Sequence, residues 1–205
     1  MTTPVTTVVF DVGNVLIEWG PEHLYRELIP DTVERTSFLT HICSMEWNLQ
    51  QDLGRNWSEA IALLSSEYPE HADLIAAYSS RWHDMVPGEI SGSVRILEDL
   101  KRSKTPLYAI TNFSSEKFNE AQERFSFLKT SFSDIVVSAE EGLLKPDVRI
   151  YEVLFSRNKL DPSACVFIDD SEKNVLGARE AGMQALHFTS AEKLRADLID
   201  MDFPL

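Results

Sequence analysis

Asp11, Gly13, Thr111, Asn112, Lys145 and the pair Asp169-Asp170 stand at four separate points of the chain, and together they could do one kind of chemistry. Taken singly, each has an ordinary role. Asp11 could serve a turn, Thr111 could cap the helix expected at 115–126, Lys145 could be a surface cation, and Asp169-Asp170 could cap a helix at 172–181. Gathered in one pocket they are different. Three carboxylates close together repel, and each is driven toward its protonated form unless a cation sits among them. Hard oxygen ligands with open positions suit Mg²⁺, which keeps several waters and takes one or two carboxylates plus a phosphate. Lys145 and Thr111 would hold other phosphate oxygens, and Asp11 would be free to attack phosphorus, forming an aspartyl-phosphate that water later cleaves.

The elements around these residues decide whether they meet. Residues 5–10 read as a buried strand, an apolar β-branched run that delivers Asp11 to its tip before Gly13 and Asn14 break it. From Pro21 to about Trp82 the periodicity is helical, with a break at Gly54 and a fresh N-cap at Asn56 or Ser58. Trp47, Trp57 and Trp82 read as core filling for this bundle, and Pro87-Gly88 as the return hinge. Strands at 107–111, 134–138, 165–168 and 185–188 then alternate with helices near 92–103, 115–126, 147–159, 172–181 and 191–199. That alternation means βαβ units, and right-handed crossovers force a doubly wound layer. The expected fold is α/β: a Rossmann-like, doubly wound parallel sheet formed by residues 1–17 and 87–205, with an inserted helical-bundle cap at 18–86. In a parallel sheet all four polar tips emerge on one edge, where open α/β sheets bind ligands. Pro146 is placed as the first residue of the helix after Lys145.

Bulk properties narrow the partners. The 205 residues suffice for one sizeable core with an insertion, and a net charge of -14 argues against nucleic acid and against anionic membranes. Two cysteines, Cys43 and Cys165, are too few for a disulfide framework and read as free thiols of a reducing cytosol. Neither a signal peptide nor a membrane span is legible. Oligomeric state is not legible either.

The set Asp11-x-Gly13, Thr111-Asn112, Lys145-Pro146 and Asp169-Asp170-x-x-x-Asn174 closely resembles the four motifs of the haloacid dehalogenase-like hydrolase superfamily, over essentially the whole chain. The helical insertion after the first motif, and the run Ser138 to Tyr151, resemble its subgroup with a small helical cap. D-V-G-N-V-L and I-D-D-S-E-K-N are most similar to glucose 1-phosphate phosphatases and to the phosphatase lobe of soluble epoxide hydrolases. The resemblance implies Asp11 as nucleophile and Asp170 as a direct Mg²⁺ ligand. It has Asp169 acting through water or by orienting Lys145, and Thr111, Asn112 and Lys145 on the phosphoryl group. The backbone carbonyl of Gly13 would be a further metal ligand. Response-regulator receiver domains use similar parts, but there the acidic pair comes first and no helical block intervenes.

One departure matters. At the Gly13 position most phosphatases of this superfamily carry a second Asp that serves as general acid and then base. Its absence leaves three readings open: a leaving group that needs little protonation, such as an anomeric sugar oxygen; a proton from the cap, with Glu18, His23, Glu46 and Asp52 as candidates; or a slow enzyme whose phosphate site mainly binds. The expected activity is Mg²⁺-dependent hydrolysis of small phosphorylated metabolites, sugar phosphates foremost. The competing activity is 2-haloacid dehalogenation, whose branch carries a Tyr where Gly13 stands and a cap arginine. Trp19, His23, Trp47 and Arg55 are the candidates for contacting the substrate body.

Overall fold

A computed structural model describes residues 4–205. In chain order the strand β1 (Thr7–Phe10) is followed by helices α1 (Pro21–Leu28), α2 (Thr32–His41), α3 (Met45–Asp52), α4 (Trp57–Glu67) and α5 (Ala72–Ser80). Then come α6 (Ser91–Arg102), β2 (Leu107–Thr111), α7 (Ser115–Arg124), the single turn α8 (Phe127–Thr130), β3 (Asp134–Val137) and another single turn, α9 (Ser138–Glu141). The chain ends with α10 (Val148–Asn158), β4 (Cys165–Asp169), α11 (Glu172–Glu180), β5 (Gln184–His187) and α12 (Ala191–Asp200).

The five strands form one parallel sheet in the order β3-β2-β1-β4-β5. Val8, Val9, Phe10, Val166, Phe167 and Ile168 have no exposed surface, as central strands covered on both faces require. Leu97 and Leu100 of α6 and Leu194 and Leu198 of α12 cover one face. Ile150, Tyr151 and Leu154 of α10 and Val175 and Ala178 of α11 pack with Val9, Ile110 and Phe167. The order reverses between β1 and β4, so the crevice where such sheets bind ligands opens at the tips of those two strands.

Helices α1–α5 form a block above that edge. Its apolar cluster is continuous with α7 and the sheet, joining Tyr25, Phe38, Trp57, Tyr78 and Trp82 to Phe118, Ala109 and Val137. The outgoing and returning chains run side by side: Glu18 N–H donates to Gly88 carbonyl at 2.9 Å, and Ile90 N–H to Leu16 carbonyl at 2.8 Å. The Arg124 guanidinium of α7 donates to the Val86 carbonyl at 2.7 Å and to the His83 and Pro87 carbonyls at 3.2 Å. The expected hinge at Pro87-Gly88 is thus tied both to the exit segment and to the core.

Differences from the expected elements are local and have plain causes. The expected helix 115–126 stops at Arg124, with Phe125 closing it and α8 following. Residues 138–141 make a helical turn closed by Gly142 in the left-handed region (φ 63°). Pro146 is not the first residue of α10: Asp147 is the N-cap, accepting from Arg149 N–H at 3.0 Å, and the Lys145–Pro146 bond is cis. Gly54 (φ 106°) breaks the chain before α4, and the Asn56 side chain caps it, accepting from Ser58 and Glu59 amides.

Candidate active site

Strand register brings the polar residues together. Phe10 pairs with Ile168 on one side and Ala109 on the other, so Asp11 stands level with Asp169, and Thr111 lies one position further along β2. Immediately after Asp11 the chain folds into a compact turn. Asn14 adopts a left-handed conformation (φ 53°), its Oδ1 accepts from Trp19 N–H at 2.9 Å, and Val12, Val15, Leu16 and Ile17 are fully buried. An Asn tolerates that conformation better than most residues. The turn anchors the base of the site.

Lys145 is the hub. Its Nζ lies 2.7 Å from Asp11 Oδ1 and 2.7 Å from Asp169 Oδ2, with all three residues buried. Burial works against the ammonium charge, but Asp11 and Asp169 outweigh it and hold its pKa above the usual value. The loop that carries Lys145 is clamped by Asn112: Lys145 N–H donates to Asn112 Oδ1 at 2.9 Å, and Asn112 Nδ2 donates to Lys145 carbonyl at 3.2 Å. From behind, Gly177 of α11 lets that loop in, since a Cβ there would lie 2.4 Å from the Pro146 carbonyl oxygen. Asp169 has its oxygens committed: Oδ1 accepts from Ser171 N–H at 2.8 Å, and Asn174 Nδ2 donates to both oxygens at 3.0 Å. Asp11 Oδ1 also accepts from Val12 N–H at 2.7 Å, which leaves Oδ2 for other partners.

The charge balance is negative. One lysine serves three carboxylates, and oxygen atoms of Asp11, Asp169 and Asp170 lie within 4.8 Å of one another. Burial pushes the Asp11 carboxyl well above the usual carboxylate range; Lys145 opposes this, while Asp169 and Asp170 add to it. Asp170 is raised by burial and then by Asp169. A cluster in this state gains from a cation. Its donors are all hard oxygens, the set that suits Mg²⁺.

Above the cluster opens a cavity of about 180 Å³. Asp11, Gly13, Thr111, Asn112, Lys145 and Asp170 form its floor, with Asn174 at the side. The cap side is largely apolar: Trp19, Met45, Leu49, Trp57 and Trp82, with Phe113 from the core. Trp57 and Trp82 therefore do more than fill the bundle. Trp57 Nε1 donates to Ser114 Oγ at 2.8 Å, fixing cap against core, and the Trp82 and Phe113 ring centroids are 5.7 Å apart.

Of the residues considered for the substrate body, only Trp19 borders this cavity. Trp47 and Arg55 line a separate, open hollow with His41 and Glu46, and His23 is exposed. Among the possible proton sources, Glu18, His23 and Glu46 are exposed and lie off the cavity, while Asp52 is buried and borders it. Asn14, Asn48, Ser114 and Lys117 also line it and were not singled out from the sequence. Asn48 had a signal: it lies four residues before Asp52 on one helix, hence on the same face.

A buried Asp just past β1, a buried lysine and an acidic pair at the end of β4 thus stand together at one edge of a doubly wound parallel α/β sheet. The chain belongs to the haloacid dehalogenase-like hydrolase family, which matches residues 20–188. Asp11 and Gly13 lie ahead of the matched stretch. Among curated relatives, a sesquiterpene phosphatase of Aspergillus oryzae is 27% identical over 192 residues, covering 93% of each chain. Flavin mononucleotide hydrolase 1 of Arabidopsis thaliana is 30% identical over 112 residues, 55% of this chain and 45% of that protein. A haloacid dehalogenase family enzyme of Bacteroides thetaiotaomicron, solved as a magnesium complex, superposes with a TM-score of 0.75 at 19% identity, covering 96% of this chain and 99% of that one. L-2-haloacid dehalogenase from Xanthobacter autotrophicus follows the same fold with a TM-score of 0.63 at 16% identity, over 95% and 82% of the two chains.

Proposed function

We propose that this hydrolase is a Mg²⁺-dependent phosphatase of small phosphorylated metabolites, working through an aspartyl-phosphate on Asp11. The observation that carries the reading is Lys145 held 2.7 Å from both Asp11 and Asp169, beside Asp170, on the floor of a walled cavity. Asp11, Asp170 and the Gly13 carbonyl would hold Mg²⁺, with Asp169 behind them. When bound, the ion supplies positive charge against the phosphoryl oxygens.

The chain's own residues do the rest. Thr111, which lines the cavity together with Asp11, binds a phosphoryl oxygen together with Lys145. Asn112 keeps the Lys145 loop in place. Asp169 orients the ammonium, which neutralises charge between Asp11 and the phosphate. Asp11 Oδ2 attacks phosphorus in line, and catalysis rests on positioning and charge neutralisation. The segment 18–86 acts as the cap over a core of 1–17 and 87–205.

Two features weigh against dehalogenation. Among the described residues no arginine borders the cavity to take a haloacid carboxylate, and Gly13 stands where that branch has Tyr. The apolar wall of the cavity moves the expected substrate from free sugar faces toward a leaving group with an apolar or flat surface. The phosphatase activity in the name of the Aspergillus relative supports that direction, and sugar 1-phosphates form the polar end of the range. Among the described residues no helix is long and apolar enough to cross a membrane, and Cys43 and Cys165 are free and buried. The two free thiols are in keeping with a reducing, cytosolic setting.

The test is steady-state phosphate release from a prenyl monophosphate, flavin mononucleotide, glucose 1-phosphate and p-nitrophenyl phosphate, with Mg²⁺ and with EDTA. Turnover with Mg²⁺ that EDTA abolishes is the expected result, fastest on the first two. Turnover of a 2-haloacid with none on any phosphate overturns the reading.

A further inference from the structure

We propose that Asp52, entering the cavity from the end of cap helix α3, gives a proton to the leaving group and later takes one from the attacking water. This rests on the phosphatase reading above and assigns the work for which Gly13 has no side chain.

Gly13 is not glycine for want of room. Its φ is not in the left-handed region, and a Cβ built there meets nothing within 4 Å. The space beside it belongs to the cavity. In an in-line displacement the leaving group points away from Asp11, that is, toward the cap wall. Among the described residues three carboxyl groups border the cavity: Asp11, Asp170 and Asp52. The first attacks and the second faces the cation, which leaves Asp52 on the leaving-group side.

Asp52 is also placed with care. It is 8% exposed, and among the described residues it has no ion-pair partner. Its Oδ2 accepts from Asn48 Nδ2 at 3.0 Å. Its carbonyl accepts from Ser138 Oγ at 2.6 Å, and the same hydroxyl accepts from Phe113 N–H at 2.9 Å. Through Ser138, then, the end of α3 is tied to the loop that follows Thr111 and Asn112. A proton donor must keep its distance from the phosphoryl site constant, and this link does that across the cap–core boundary.

The groups around Asp52 leave it able to carry a proton near neutrality. Burial pushes its carboxyl up to about 7, and the Ser114 amide pulls the other way. Tyr78 of α5, fully buried, is itself pushed upward by burial and then by Cys43 and Asp52. Lys117 of α7 borders the cavity but is engaged by the Ser79 carbonyl at 2.9 Å and Glu120 at 2.7 Å. Asp11 and Asp170 on the floor add negative charge.

The steps balance. As Asp11 Oδ2 bonds to phosphorus, the phosphorus–oxygen ester bond breaks, and the departing oxygen takes the Asp52 proton to leave as alcohol. Asp52, now a carboxylate, then takes a proton from water. The resulting hydroxide attacks phosphorus, breaking the bond to Asp11 and releasing phosphate.

The experiment compares 2-phenylethyl phosphate, whose alkoxide needs a proton, with p-nitrophenyl phosphate, whose phenolate leaves unaided. The readout is kcat/KM, which reports steps only through loss of the alcohol. Asp52→Asn keeps the Asn48 hydrogen bond and is expected to lower kcat/KM for the alkyl ester by ~10²–10⁴-fold, with under about threefold change for the nitrophenyl ester. In the wild type, kcat/KM for the alkyl ester falls as pH rises through about 7, and the variant loses that limb. The native pKa lies above the ordinary 3.8, so native Asp52 costs stability as pH rises between the two. The variant should therefore gain thermal stability over wild type from pH 5 to pH 8, which serves as the folding check. Gly13→Asp in the Asp52→Asn background should restore alkyl turnover at least tenfold. Equal losses on both esters, or no loss on either, overturn the Asp52 assignment while the phosphatase stands. A wild type inactive on both esters with Mg²⁺ overturns the phosphatase reading and this assignment with it.

Discussion

Asp11→Asn is expected to lower Mg²⁺-dependent phosphate release by at least ~10⁴-fold while the protein stays folded. Loss of a nucleophile costs on the order of 10⁴–10⁶-fold where catalytic groups act as a unit. The substitution is isosteric, so the amide oxygen can still accept from Val12 N–H and from the Lys145 ammonium, both now at 2.7 Å. It also removes one of three mutually repelling carboxylates, and Asp11 is the one whose pKa is driven well up by burial and by Asp169 and Asp170 against Lys145. Thermal unfolding should accordingly show a midpoint equal to or above that of the wild type without metal. A variant that keeps a tenth of the wild-type rate would remove Asp11 from the chemistry.

Lys145→Met should damage both activity and stability. Without the ammonium, phosphoryl charge loses a buried donor, a loss of ~10²–10³-fold in kcat by comparison with other preorganised electrostatic groups. The structural cost comes from what stays behind. Asp11 and Asp169 are each buried, and each has Lys145 as its ion-pair partner at 2.7 Å. Removing one member of a buried ion pair costs about 3–5 kcal/mol. For a chain of this size that is a fall in Tm of roughly 6–20 °C. Mg²⁺ should return part of the loss, because a cation at the acidic cluster relieves the same repulsion. Calorimetry with and without Mg²⁺ checks this, and a Tm within 2 °C of wild type in EDTA contradicts the central place given to Lys145.

Asp11 and Asp169 were legible in the sequence because strand tips are, whereas Lys145 stands in the loop between α9 and α10. A β-branched run that ends in Asp at residue 11, and the Cys-Val-Phe-Ile run before Asp169, announce parallel strands, and topology then brings their tips together. What the cap contributes was legible only in part. Asp52 stood among four acidic or histidine candidates with nothing in the pattern to rank it. Its rank comes from its buried place on the cavity wall, where its backbone carbonyl accepts from Ser138, 86 residues away. No local periodicity encodes such a pair. Trp47 and Trp57 looked alike as bundle filling, yet they line different hollows although their rings meet edge to face. Pro146 read as a helix start on its fixed φ alone. The Asp147 cap displaced that start by two residues, an exchange that local propensity does not resolve.

Chemical capture of the intermediate tests covalent catalysis by Asp11 most directly. Wild-type protein turning over p-nitrophenyl phosphate with Mg²⁺ is quenched rapidly in acid, digested, and the peptides are mapped by mass spectrometry. A phosphoryl group on Asp11, absent with EDTA and absent from Asp11→Asn, is the expected result. Active, Mg²⁺-dependent turnover with no phosphorylated Asp11 at any quench time, or with the phosphoryl group on another residue, would contradict covalent catalysis by Asp11.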